Sequence, residues 1–460
     1  MLGDRYSRAF YEVFCMALIA VWLPSKLLAY FIPFACILWF IFRANSGKTL
    51  LRLCFVLFLY FLLVCFYVFY YDSVYEKFIV QNSILSVLTY GSFFFFLFLP
   101  PGASYGDEDR FKYHRIIRFF IIIESLIGIL QVFIFVAING GSFDSATGDI
   151  AQGTLNPLSF LHPEDAGFSN QMYATNLLLL LLFYTPYSIS KKSEIWVSVL
   201  GLVAVVFASV VHLFLAFLFA LVLVVFYFKP FLLRLSRTRL LIALCLVFAM
   251  ALAAVVQPKN FGLFSFYLDK ITSNKSPKMS VTVNSLSALP QDFRWIYYIG
   301  LGPGQYSSRA GLIGTGKYFG RFNYPKKVPL IREGSSKAFK KYVYPAWEDV
   351  ATNPRKYGNS TMSRPFYSIL SLVIEFGYIA FALMLFLAFR MIKRMKKFYV
   401  SSDAARESMR SFYALACAVF ILFLFIISFF ENYLEVTQAI FPGLLMFRYF
   451  YFKVKLSEFK

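Results

Sequence analysis

Apolar residues in this chain come in unbroken runs, not in alternation. Runs with few charges fall near 8–23, 27–42, 50–71, 83–99, 116–139, 169–188, 195–210, 211–228, 238–257, 366–389, 411–430 and 436–452. An α-helix needs about 17–25 residues to cross a bilayer, and most runs have that length. In hydrocarbon every backbone amide needs a partner inside the protein, so spanning segments are helices or parts of a closed barrel. Barrel strands alternate over about ten residues, and these runs do not. The pattern predicts an all-α polytopic membrane protein with about twelve transmembrane helices. One stretch stays ambiguous: 195–228 reads as one long tilted helix, or as two helices hinged at Ser209, Val210, Val211 and His212.

Positive charge discriminates between these, because short cytoplasmic loops are rich in Lys and Arg. Arg43, Lys48, Arg110, Lys112, Arg115, Lys191, Lys192, Lys229, Arg234, Arg237 and Arg239 mark one side of the membrane. Arg390, Lys393, Arg394, Lys396, Lys397, Lys453 and Lys455 continue it. Only the hinged reading keeps all of them on one side. Both termini are then cytoplasmic, and 140–168 and 258–365 are external. The chain divides into 1–257, with nine spans and the short loop, then the long loop 258–365, then 366–460 with three spans and a tail.

Composition agrees. Hydrophobic residues make up 59% and charged residues 15%, against about 45–50% and about 25% in soluble chains. The excess apolar surface belongs in lipid. The net charge of +21 is only partly a topology signal, since 258–365 alone holds 17 basic and 5 acidic residues. A loop that long is translocated whatever its charge. Its excess suits anionic headgroups or a phosphorylated membrane-bound substrate, and its location argues against nucleic acid. Cys15, Cys36, Cys54, Cys65, Cys245 and Cys417 all sit in apolar runs, without disulfide or metal spacing. No cleavable leader is expected, because a second apolar run follows the first closely.

Two external segments carry candidate chemistry. Ser159 to Asn176 reads S-F-L-H-P-E-D-A-G-F-S-N-Q-M-Y-A-T-N and leads into a span. Asp165 is explained by capping; Glu164 and His162 are each candidate general bases. Asn170, Gln171 and Asn176 carry polar groups into the helix, lining a cavity or packing on a neighbour. The second segment, D-F-R-W-I-Y-Y-I-G-L-G-P-G-Q-Y, runs from Asp292 to Tyr306. Gly300, Gly302 and Gly304 allow tight turns and close approach to a ligand. Arg294, Arg309 and Arg364 offer planar forks for phosphate, Arg294 foremost. Glu124 and Glu375 fall near mid-membrane, where a carboxylate is a proton relay or a hydrogen-bonded structural group.

These features together resemble the bacterial O-antigen polymerase and O-antigen ligase superfamily. The resemblance rests on P-E-D-A-G-F-S-N-Q (Pro163–Gln171) before a span and on Arg294-Trp295 followed by G-L-G-P-G-Q-Y. It rests also on S-I-L-S-L-V-I-E-F-G-Y-I (Ser368–Ile379) opening the span after the long loop, and on the spacing of Arg309 and Gly320. It covers most of the chain as topology and about fifty residues as motif. It implies a GT-C-like, cofactor- and metal-independent glycosyltransferase of the bacterial inner membrane. Such an enzyme joins undecaprenyl-pyrophosphate-linked repeat units at the outer leaflet, beside a flippase and a chain-length regulator. Arg294, Arg309 and Arg364 would hold the pyrophosphate, and Glu164 or His162 would handle the hydroxyl proton. Two departures matter: no histidine precedes the E-F-G segment, as it does in ligases, and 140–168 has neither Arg nor Lys. Polymerase is the favoured reading, with ligase and flippase or transporter as rivals.

Overall fold

The computed structural model describes residues 2–74, 78–98, 107–139, 149–161, 169–228, 276–328, 331–353, 363–401 and 409–456. These residues are helical apart from loops and one small hairpin, Gly320–Arg321 paired with Tyr324–Pro325. In chain order the membrane-side helices are α1 (Leu2–Val21), α2 (Lys26–Ala29), α3 (Ile32–Ala44), α4 (Gly47–Val74), α5 (Val80–Thr89) and α6 (Gly91–Phe98). Then come α7 (Asp107–Ile138), α8 (Ser169–Ser190), α9 (Ile195–Phe207) and α10 (Val211–Phe228). The long loop holds α11 (Pro277–Ser287), α12 (Leu289–Asp292), α13 (Ile296–Ile299), α14 (Arg309–Gly314), α15 (Lys337–Tyr342) and α16 (Tyr344–Thr352). The chain closes with α17 (Ser368–Ser401), α18 (Met409–Ile427) and α19 (Thr437–Leu456).

Among the described residues, six helices are long and apolar enough to cross a membrane: Leu27–Ala44, Gly47–Tyr71, Lys112–Ile138, Ser169–Ser190, Val211–Phe228 and Ser368–Tyr399. Ser411–Ile427 is a shorter apolar helix. The sequence run 83–99 is two short helices, α5 and α6, and the run 238–257 lies outside the described residues. α8 is the central helix, buried along most of its length, whereas α4 exposes apolar side chains on most sides. A soluble fold would not leave so much apolar surface open; a lipid-facing helix does.

Helix directions follow from which ends meet. His114 at the start of α7 bonds Tyr413 at the start of α18 (2.7 Å) and stacks on Tyr187 near the end of α8. Lys396 of α17 lies 4.0 Å over the ring of Tyr227 near the end of α10. The basic residues Lys191, Arg394 and Lys396 gather at this end. At the opposite end, Tyr433 before α19 donates to Gln171 Oε1 at the start of α8 (2.9 Å) and bonds His212 at the start of α10 (3.1 Å).

Those contacts resolve the 195–228 ambiguity. Ser188 of α8 bonds Ser198 of α9 (2.8 Å) at the basic end. α9 therefore runs back beside α8, and α10 starts from the opposite end. The break is local and sharp: Ser209 sits at φ 60, a left-handed conformation that ends one helix before Val211 begins the next. α9 packs on α7 and α8, α10 on α18.

The long loop does not stand clear of the bundle. Its helices bury Phe293, Leu312, Phe339 and Trp347 together with Tyr67 and Tyr71 of α4 and Leu370 and Val373 of α17. Each such large side chain contributes about 1.5–3 kcal/mol on burial. Residues 149–161 of the shorter loop also turn inward. Glu124 of α7 accepts the backbone N–H of Thr154 (2.9 Å) and its hydroxyl (2.7 Å). Gln131, farther along α7, accepts the amides of Gln152 and Gly153 (both 2.9 Å). The mid-helix glutamate thus anchors a loop.

Candidate functional site

Glu375 does for the long loop what Glu124 does for the short one. Gly377 breaks α17 at φ 80, ψ 167, and the segment from Gly300 to Ser308 packs into the break. The amides of Leu301 and Gly302 donate to the carbonyls of Ile374 and Glu375 (2.8 and 2.9 Å). The Glu375 carboxylate then accepts three further amides: Gly304 (2.7 Å), Tyr306 (2.9 Å) and Ser308 (3.2 Å). Gly300, Gly302 and Gly304 all have positive φ (74, 93 and 76). A Cβ at Gly300 would meet the backbone of residue 375, and one at Gly304 the backbone of Asn82. The glycines do permit close backbone approach, as the spacing predicted. What they approach is the chain itself, and the anion in their cradle is Glu375.

This cradle positions Ser307, Ser308 and Arg309, which start α14 inside the bundle's end. Ser308 caps that helix, accepting the N–H of Gly311 (3.3 Å). Facing it is the turn from Glu431 to Glu435, between α18 and α19. Glu431, Asn432, Tyr433 and Glu435 are all buried. Glu435 accepts the backbone N–H of Arg309, Asn432 Nδ2 donates to the carbonyl of Ser307 (2.8 Å), and the Arg309 fork reaches the carbonyl of Asn432 (3.5 Å). The Arg309 guanidinium also lies 5.2 Å over the ring of Tyr318. Lys278 enters from α11, donating to the carbonyl of Phe430 and sitting 5.6 Å from the ring of Tyr367. Arg364, half-buried ahead of α17, faces Glu431. Tyr433 gives its one hydroxyl proton to Gln171, so His212 meets it through a protonated Nε2.

The electrostatics follow from burial. Desolvation raises the Glu431 carboxyl above the ordinary carboxylate range, against the opposing pull of Arg364, Lys278 and Arg309. Desolvation pushes Lys278 down to about 8, with Glu431 pulling it up and Arg364 pushing it lower. Glu435 is pushed up to about 8, first by burial and then by the charge of Glu375. Three cationic side chains and two carboxyls thus share a low-dielectric pocket at the end of an apolar bundle, where each charge acts strongly.

Of the residues singled out in the sequence, Arg309, Arg364 and Gln171 meet in this cluster. Asn170 stands beside it, donating to Asp149 (2.8 Å) and so tying the start of α8 to the shorter loop. Burial raises the Asp149 carboxyl, and the Asn170 bond opposes that. Arg294 lies exposed between α12 and α13, outside the buried cluster. His162 and Glu164 lie outside the described residues. Cys15, Cys36, Cys54, Cys65 and Cys417 are free thiols, and Cys245 is outside the described residues.

The sequence reading passed over Glu431, Glu435, Lys278 and the contact of His212. The signal for the first two was present: E-N-Y-L-E puts two carboxylates in a five-residue turn between apolar runs. Charges so placed are costly and mark function more often than linkage. This chain matches no protein-family model, no curated protein and no solved structure.

Proposed function

We propose that this chain polymerises undecaprenyl-pyrophosphate-linked oligosaccharide repeat units at the outer leaflet of a bacterial inner membrane. On this reading it has about twelve spans in a GT-C-like arrangement, with both termini and the basic end cytoplasmic. It uses neither metal nor cofactor and works beside a flippase and a chain-length regulator. The observation that carries the reading is the cluster of buried Arg309 with half-buried Lys278 and Arg364 at the bundle end that gathers both loops. A polyprenyl pyrophosphate leaves a glycosyl carbon with its negative charge on phosphate oxygens. Fixed cations in a dry site stabilise that charge as it develops. Arginine forks match phosphate geometry, and Lys278 adds a compact charge. Gln171, Asn432 and Tyr433 supply hydrogen-bonding groups of the kind that orient sugar hydroxyls.

A polysaccharide gel profile of a strain lacking the chain tests this. One repeat unit on the lipid core is the expected result. Core without any repeat unit would make the protein a ligase, and loss of externally displayed repeat units would make it a flippase.

A further inference from the structure

We propose that Glu431 takes the proton from the attacking sugar hydroxyl, an assignment that rests on the polymerase reading above. Among the described residues, the other buried glutamates each accept at least one well-formed hydrogen bond. Glu124 accepts Thr154, Glu375 accepts three amides of the glycine-rich segment, and Glu435 accepts Arg309. Each has a structural task that explains its retention. Glu431 is 1% exposed, yet among the described residues neither of its carboxylate oxygens has a hydrogen bond of full geometry, only a marginal one from the backbone amide of Asn432 in its own turn. A buried carboxyl so poorly hydrogen-bonded carries a desolvation cost that packing alone does not offset. Its two oxygens are available to an incoming hydroxyl.

Its neighbours fit the task. Lys278 of α11, Arg309 of α14 and Arg364 ahead of α17 face it as cations. Tyr433 lies buried in its own turn, and His212 of α10 packs on Phe430 and Tyr433. The cations oppose the burial that raises the Glu431 carboxyl. A bound pyrophosphate engages those same cations and adds negative charge beside Glu431, which increases its affinity for a proton. The base is therefore strengthened by donor binding, when the proton must move. In the step itself, the acceptor O–H proton passes to a Glu431 oxygen while the hydroxyl oxygen bonds to the anomeric carbon. The bond from that carbon to the phosphate oxygen breaks, and its electron pair leaves with the polyprenyl pyrophosphate. The Glu431 proton then returns to water.

The test uses the full chain in the deletion strain and, purified, in lipid nanodiscs with undecaprenyl pyrophosphate as the binding probe. Glu431→Gln should lower chain extension by about 100-fold or more, the usual scale for losing a general base. The same variant should bind the probe within about threefold of wild type or tighter, since it removes a negative charge from an anion site. Glu431→Asp guards against a glutamine variant that does not accumulate. It should keep partial extension with the acid-side loss of activity that the wild type shows as external pH falls. That loss should set in above the ordinary carboxylate range, because burial raises the Glu431 carboxyl and the base is lost once protonated. Extension by Glu431→Gln within about threefold of wild type, or an unchanged acid limb in that variant, overturns the assignment and leaves the polymerase reading standing. A deletion strain with a normal polysaccharide ladder overturns both.

Discussion

Glu375→Gln is nearly isosteric, yet it should loosen the long loop. The carboxylate accepts three amides, Gly304 through one oxygen and Tyr306 and Ser308 through the other. A glutamine side chain keeps one acceptor oxygen and replaces the other with an NH2 donor. Whichever way it turns, at least one buried backbone N–H then faces another N–H. Leaving a buried donor unmet costs about 1–3 kcal/mol. Turning the oxygen toward Tyr306 and Ser308 loses one bond; the other orientation loses two. Glutamine should therefore cost on the order of 1–3 kcal/mol, and alanine, which leaves all three amides unmet, several times more. The loss should appear first locally, as faster protease cleavage and faster amide exchange across 300–309, before the bundle melts. Purified protein in detergent micelles, probed by hydrogen exchange with mass spectrometry, separates the two. Exchange across 300–309 as slow in Glu375→Ala as in wild type would refute the claim that this carboxylate holds the loop.

Three further outcomes are expected. A reporter active only outside the cytoplasm should work when fused at Lys317 and stay silent after Lys192 or Lys396; activity at Lys396 would place both ends of α10 on the wrong sides. Arg364→Lys keeps the charge but loses the fork, so it should impair chain extension more than Arg294→Ala does, and the reverse order would move the pyrophosphate site out to the exposed loop surface. Replacing all six cysteines with alanine should leave extension within about twofold, because a small apolar thiol contributes mainly packing; a null phenotype from any single Cys→Ala would contradict that.

Much of the architecture was legible in the chain, for physical reasons. Continuous apolar runs report helices in lipid directly, and the break between α9 and α10 was readable because the distribution of Lys and Arg demanded a reversal there. The candidate site was only half legible. Arg309, Arg364 and Gln171 announced themselves by chemistry and by position at the edges of apolar runs. Glu431 carried a signal in its E-N-Y-L-E turn but not its role, because nothing local names the groups that face it. Its partners lie far away in sequence, as do the 221 positions separating His212 from Tyr433. No local pattern encodes that separation. The glycines illustrate the opposite limit. Their need for left-handed backbone was correctly inferred, but a spacing cannot say whether a substrate or the chain's own helix fills the space they create.

The cradle around Glu375 also sets an order of events during synthesis. The amides at 304, 306 and 308 precede the carboxylate that receives them by 67–71 residues. At about 5–20 residues per second, translation needs roughly 3–14 s to supply the missing partner. During that interval the rest of the long loop is still being made, and the glycine-rich segment lacks the helix that completes it. Its glycine-rich turn can close only after α17 has entered the membrane. The loop is thus not an independent module, and expressed by itself as a soluble fragment it would lack its central hydrogen-bond acceptor. Placement of an apolar helix becomes the last step in folding a segment that precedes it in the chain.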